Sequence, residues 1–236
     1  MTARVFQVNQ EQAYLNIIIG SSLEWTNNLY NEKNIKNLSD DELNQATKSD
    51  VPFFDRWSMR KYDQSLSDTG TYLTLLSLGS TVLLNSWDEP YTWDNLLVLS
   101  EILVVQSTLN GWSKSLTQRK RPYVYDDNAD QEFRTDNNAR LSFYSRHTST
   151  AFAVAVYGHY YQYHTAGNIY LITSSYGLAA FIGMSRIFAG EHFFSDVVTG
   201  AVIGSLTSYL LCRSHRSALI RTLHIGHNSL SLQFKF

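Results

Sequence analysis

The residues most able to do chemistry together lie in Ser185-Arg186-x5-His192-x3-Asp196. Four positions separate His192 from Asp196, so on a helix they share a face, where the carboxylate can fix the imidazole tautomer and stabilise its cation. The other ring nitrogen is then free to attack phosphorus. Arg186, on the preceding segment, offers donors to the equatorial oxygens of a phosphoryl group, where charge must be stabilised during transfer. A His–Asp pair on a solvated helix surface has the same spacing, so on its own this segment fits both readings.

Two further clusters precede it. Lys114-x6-Arg121-Pro122 sets two cations nearly two helical turns apart, so both project from one face, and Pro122 disfavours helical geometry at Arg121 and ends the helix there. An arginine fork and a lysine point charge can grip one anion together. Taken alone, Lys114, Arg119, Lys120 and Arg121 also fit a solvated basic helix end, favoured by the helix dipole. Ser145-Arg146-His147-Thr148 stands immediately before the apolar Ala151–Tyr161 stretch, which places Ser145 near an N-cap. An anion held at that terminus would meet Ser145 Oγ and free backbone amides, with His147 close enough to protonate a departing alkoxide. A capped helix with an incidental histidine is the plainer reading of this segment by itself.

In this order the three segments resemble the signature of the type 2 phosphatidic acid phosphatase superfamily, which also contains bacterial acid phosphatases and vanadium haloperoxidases. That signature has a Lys-x6-Arg-Pro element, a Ser-Gly-His element and a Ser-Arg-x5-His-x3-Asp element; here they run from Lys114 to Asp196, about a third of the chain. The resemblance implies a helical bundle in which Lys114, Arg121 and Arg186 bind phosphoryl oxygens and Ser145 adds a hydrogen bond. It also implies His147 as general acid, His192 as nucleophile and Asp196 as its orienting partner, with no metal and no cofactor. Two positions depart from the pattern: Arg146 stands where the family usually has glycine, and Tyr144 where proline often precedes the serine. Two readings of Arg146 stand open: it points away from the phosphate, or it adds a charge to the phosphate-binding set for a second phosphate.

The scaffold that must position these groups reads as all-α. Only three prolines occur, Pro52, Pro90 and Pro122, so long stretches can be helical without a break. Apolar segments centred on Tyr14–Leu23, Thr71–Trp87, Leu96–Gln106, Ala151–Tyr161, Ile169–Met184 and Val197–Leu211 predict a bundle of about six core helices. Ser39 with Glu42 forms a capping-box pattern for a polar surface helix from Asp40. Asn85–Asn95, with Trp87, Pro90 and Trp93, connects two antiparallel helices. The tail alternates apolar and polar residues over Ser229–Phe236, as a short strand does.

One domain is expected over residues 1–236, with N-terminal helices over 10–110, the catalytic motifs over 114–196 and a tail over 213–236. A net charge of −2 gives no global attraction to nucleic acid. Cys212 is the one cysteine and reads as a small core hydrophobe. Residues Gly200 and Gly204 allow close helix approach. No secretory signal is visible near the N-terminus. A membrane-embedded bundle and a soluble one both fit the segment lengths.

These readings converge on a metal-independent phosphatase that hydrolyses a phosphate monoester or diphosphate through a phosphohistidine. Its partner is a phosphorylated lipid or a small phosphate ester, and its place the cell envelope, membrane-associated or periplasmic. The rival readings are a vanadium-dependent haloperoxidase and an inactive protein that binds phospholipid head groups. If Arg146 meets a second phosphate, Arg146→Gly should lower the preference for lipid diphosphates over monophosphates, measured as the ratio of their hydrolysis rates. An unchanged ratio removes Arg146 from that role.

Overall fold

A computed structural model describes residues 4–87, 90–127, 129–216, 220–226 and 229–234. Eight α-helices run in order among them: α1 (Gln10–Asn34), α2 (Asp40–Asn44), α3 (Gln64–Thr81), α4 (Thr92–Thr117), α5 (Gln131–Thr135), α6 (Arg146–Tyr163), α7 (Ile169–Phe188) and α8 (Phe194–Arg216). The fold is all-α apart from an antiparallel hairpin of β1 (Ile220–Gly226) and β2 (Ser229–Phe234). The alternating tail thus supplies β2, while Lys235 and Phe236 lie outside the described residues.

Five of the six apolar segments lie within long helices that extend beyond them; the sixth, Thr71–Trp87, outruns α3, which ends at Thr81 and passes into a π-helical turn over Val82–Ser86. The extension is large in α1, which runs for 25 residues where apolar periodicity marks only Tyr14–Leu23. Polar bonds to α4 run along both halves of it. Asn16 Nδ2 donates to Glu101 Oε1 (2.7 Å), Asn27 Nδ2 to Ser115 Oγ (2.7 Å), and Ser115 Oγ to Asn31 Oδ1 (2.6 Å). Thr108 Oγ1 donates to the Gly20 carbonyl (2.9 Å). Glu101 also accepts from His215 Nε2 at 2.7 Å, so this histidine of the basic tail is tied into the bundle. Apolar patterning cannot report a seam made of amides and hydroxyls.

The short α2 starts where the capping box places it: Glu42 N–H donates to Ser39 Oγ (3.3 Å) and Ser39 N–H to Glu42 Oε2 (3.0 Å). Helix α6 is central, packing on α3, α4, α7 and α8, while α1 packs on α4. One core joins Phe6, Val98, Ile102, Tyr157 and Cys212, and Cys212 is fully buried within it.

The α6–α8 approach fixes the end of the bundle that carries the motifs. A Cβ on Gly204 would lie 2.1 Å from the Ser149 carbonyl oxygen, and one on Gly200 would lie 2.7 Å from that of Ser145. Any larger residue would push the first turn of α6 away from α8. Facing outward, α7 and α8 are the helices long and apolar enough to cross a membrane among the described residues. Their outer faces show Tyr170, Phe181, Val202, Leu206 and Leu210.

Gly204→Ala should therefore lower the thermal midpoint by about 5 °C or more, as overpacking of a tight interface does. By contrast, a Cβ on Gly79 of α3 would meet open space, with nothing within 4 Å. Gly79→Ala should leave the midpoint unchanged or raise it, since alanine favours the helix. Differential scanning fluorimetry in detergent compares the two.

Candidate active site

The three motifs meet at one end of the bundle, where α4 and α7 finish and α3, α6 and α8 begin. Arg186, in the last turn of α7, is 2% exposed. Its Nη1 donates to the Ser67 carbonyl of α3 (2.6 Å) and its Nη2 to Ser67 Oγ (3.2 Å). Gly70 permits this, because a Cβ there would lie 2.7 Å from Ser185 Oγ and 3.0 Å from Arg186 Nη1. Arg121 is 5% exposed and is held by Asn138, donating from Nε to its carbonyl (3.0 Å) and from Nη2 to Oδ1 (2.9 Å).

The two guanidiniums are joined by a carboxylate that the motifs did not single out. Glu191 Oε1 lies 3.1 Å from Arg186 Nη2 and accepts from Ser67 Oγ (2.9 Å), while Oε2 pairs with Arg121 Nη1. The available signal was an acidic residue directly before His192, inside a group of motifs whose other charges are mainly cations.

Lys114 and Arg121 reach the site differently from the expectation of a shared helix face. Helix α4 stops at Thr117, with Gln118 in the left-handed region (φ 43°), and Arg121 is extended (φ −77°, ψ 159°) ahead of a 3-10 turn over Pro122–Tyr125. The residue before a proline is driven out of helical geometry, so the chain turns before Arg121 and brings it back towards the last turn of α4. Lys114 is half-buried there, in the field of Arg121, Arg146 and Arg186.

His192 lies in the connector between α7 and α8, two residues before α8 starts, and is 1% exposed. The connector turns through Gly190 (φ +70°), where a Cβ would lie 2.5 Å from the Lys61 carbonyl oxygen and 2.7 Å from that of Arg60. Glu191 and His192 both donate their backbone N–H to the Arg186 carbonyl (3.1 and 3.3 Å). His192 Nδ1 lies 3.7 Å from Asp196 Oδ2, beyond hydrogen-bonding distance.

The expected helical His–Asp pair is therefore an adjacency across a helix start. Asp196 is occupied in capping α8: Oδ2 accepts from Phe193 N–H (3.0 Å) and Ser142 Oγ (2.6 Å), and Oδ1 from Arg119 Nη1 (2.6 Å). The next amides are capped from elsewhere in the chain. Phe194 N–H donates to Ser58 Oγ (3.0 Å) and Ser195 N–H to Asp55 Oδ1 (2.8 Å). Arg119, which fits a solvated helix end in the sequence, instead bridges Asp196 to the fully buried Asp55 (Nη2 to Oδ2, 2.7 Å), with its guanidinium 4.4 Å from the centre of the Phe193 ring.

Ser145 is the N-cap of α6: its Oγ accepts from Thr148 N–H (3.4 Å) and Thr148 Oγ1 (2.9 Å), leaving its own proton to donate. Its N–H donates to the Asp196 carbonyl (3.1 Å), and Asn110 Nδ2 holds the preceding Tyr144 carbonyl (2.7 Å). Arg146 is exposed at the first position of the helix. His147 Nε2 lies 3.2 Å from Thr71 Oγ1 of α3.

Burial, reinforced by these cations, sets the protonation of the histidines. Burial, then Arg186, Arg146, Lys114 and Arg121, pull His147 down to about 3. Burial, then Arg121 and Lys114, push His192 well below its ordinary value. Burial, Arg121 and Arg146 likewise depress Lys114, against the opposing field of Asp196. Both imidazoles are thus neutral at neutral pH. Neutrality suits a nucleophile at once; an acid needs a proton, and a bound phosphoryl anion would favour one by offsetting the cations.

The model of the PAP2 superfamily matches residues 95–219, a stretch that contains all three motifs. The chain belongs to the PAP2 superfamily. A lipid A 1-phosphatase of Porphyromonas gingivalis is 40% identical over 77 residues, which are 33% of this chain and 17% of that protein. Among solved structures, a transmembrane PAP2-type phosphatidylglycerolphosphate phosphatase from Bacillus subtilis has the same fold, with a TM-score of 0.50 and 22% identity over 81% of this chain and 93% of its own. Aquifex aeolicus LpxE aligns with a TM-score of 0.45 and 21% identity over 64% of this chain and 87% of its own.

In this PAP2 chain the depressed His147 predicts an acid-side loss of stability. Between its native value of about 3 and its ordinary 6.5, the unfolded chain binds a proton that the native chain refuses. Stability therefore falls as pH is lowered through that window. Between pH 7 and 5 the thermal midpoint of the wild type should drop more than that of His147→Asn, which lacks this titration; equal drops would show that His147 is not held neutral.

Proposed function

We propose that this chain is a metal-independent phosphatase that hydrolyses a lipid phosphate through a phosphohistidine on His192. The carrying observation is the convergence of Arg121, Arg186, Lys114 and two neutral imidazoles at one end of the bundle. Fixed cations do most of what phosphoryl transfer asks of a protein, which is to position the group and stabilise its charge.

In the first step a ring nitrogen of His192 attacks phosphorus and the P–O bond to the alcohol breaks. His147, protonated once a phosphoryl anion balances the cations around it, gives its proton to the leaving oxygen. In the second step water attacks the phosphohistidine, His147 takes up a proton from that water, and orthophosphate leaves. Ser145 donates to a phosphoryl oxygen. Asp196 acts by holding the start of α8, and with it the backbone that carries His192, in place.

The lipid assignment rests on where the site lies. Arg186 lies in the last turn of α7 and Asp196 in the first turn of α8, and 23 residues of α8 extend about 35 Å, enough to cross the hydrocarbon core. With these helices spanning a bilayer, the catalytic groups stand at one of its surfaces, level with lipid head groups. This agrees with the lipid phosphates named for the Porphyromonas and Bacillus proteins and supports a site of action at a membrane of the cell envelope. Arg146, exposed at the mouth, would face the part of a head group beyond the reacting phosphate.

Phosphate release from lipid monophosphates, lipid diphosphates and an aryl phosphate, with EDTA present, tests the reading. Turnover should survive EDTA and fall by at least about a thousandfold in His192→Ala, as expected when a nucleophile is removed. Equal turnover by both proteins would remove His192 from the mechanism, and dependence on a divalent ion would overturn the metal-independent scheme.

A further inference from the structure

Among the described residues, Glu191 makes the contact in the site that a phosphate-binding role for the arginines cannot leave in place. Its carboxylate spans Arg121 and Arg186, the donors a phosphoryl group would need, and carries the same sign of charge. The remaining bonds of the two guanidiniums go to uncharged anchors: Asn138 for Arg121, and the Ser67 carbonyl and hydroxyl for Arg186. Those anchors can persist while the Glu191 face of each guanidinium changes partner.

The neighbouring carboxylates are committed differently. Asp196 and Asp55 each accept a backbone N–H at the start of α8, so displacing either would uncap a helix. The contacts of the Glu191 carboxylate are with the side chains of Ser67, Arg121 and Arg186. Its backbone is clamped by the Gly190 turn against the Arg60 and Lys61 carbonyls and by the N–H bonds to Arg186. Any exchange is therefore a rotation of the Glu191 side chain, with no movement of the loop that carries His192.

We propose that Glu191 is an internal counter-anion of the phosphate subsite: its carboxylate holds Arg121 and Arg186 in place, yields them to the incoming phosphoryl group and reclaims them as orthophosphate leaves. The inference rests on the phosphatase reading, in which these arginines bind phosphate. Its consequence is a competition in which Glu191 weakens phosphate binding, limits product inhibition and keeps two buried guanidiniums in register between turnovers. A residue that only shaped the arginines would act oppositely, since its loss would weaken phosphate binding.

Glu191→Gln keeps the shape and one acceptor but removes the charge, and Glu191→Ala removes the competitor altogether. For the full chain in detergent, the affinity for inorganic phosphate is measured by titration calorimetry, and Ki and KM by competition against aryl phosphate hydrolysis. Both variants should bind phosphate about tenfold more tightly, because a charge-assisted contact to the arginines is lost or replaced by a weaker neutral one. Ki and KM should fall together while kcat stays level or drops as product leaves more slowly.

Unchanged or weaker phosphate binding in both variants overturns the proposal even where the wild type hydrolyses every substrate offered. A wild type that hydrolyses nothing overturns the phosphatase reading instead, while the calorimetric ratio of variant to wild type still decides the role of Glu191. If Glu191→Gln shows no folding transition, Glu191→Ala supplies the comparison; if neither variant folds, Glu191 is a structural requirement and the exchange is rejected.

Discussion

Mutual repulsion among cations is the constraint to which the rest of this end of the molecule answers. Two unit charges about 4 Å apart in a partly shielded protein environment repel by roughly 4 kcal/mol, and Arg121 and Arg186 are both buried here, with Lys114 and Arg146 acting on the same space. Such groups stay together only where the surroundings hold them. Ser67 and Asn138 do so with neutral acceptors, and Glu191 with a charge. Asp196 supplies a further negative field at Lys114 and Arg121. Burial first, and then the same crowding, keeps the two imidazoles neutral.

Holding the cations requires helices to come closer than ordinary side chains allow. Gly70 brings α3 against Arg186, Gly200 and Gly204 bring α8 against the first turn of α6, and Gly190 folds the His192 connector onto the Arg60 and Lys61 carbonyls. Helices α3, α4, α6, α7 and α8 each contribute a terminus or its adjoining turn. Termini are useful for this purpose because their backbone groups are unpaired, and here they are paired across the chain: Asp55 and Ser58 cap α8, and the Asp196 carbonyl receives the Ser145 amide.

The helices and the three motifs were legible in the sequence because both are local. Apolar spacing locates the bundle helices, Ser39 and Glu42 start α2, and the motifs name the cations and histidines that the fold gathers. What the sequence hid was long-range. Arg119 looks like one more surface cation until Asp55, 64 positions away, is seen on its other side. Glu191 has a meaning only once Arg121, 70 residues earlier in the chain, lies against it. The His192–Asp196 spacing suggested a helical pair, but the helix starts at Phe194, and its own capping claims the carboxylate. Helix-period arguments fail there because they assume the helix includes both residues.

The polar seam between α1 and α4 has a further consequence. Its bonds fall at several levels along the pair, from Asn16–Glu101 through Gly20–Thr108 to Asn27–Ser115. Sliding α1 by one turn, about 5.4 Å, would break all of them together and strand the buried Glu101 and Asn27. Apolar contacts tolerate such a shift far better, since one aliphatic residue substitutes for another. The seam thus acts as a vernier: several marks coincide at a single alignment and at no other, which fixes the register of α1 against α4.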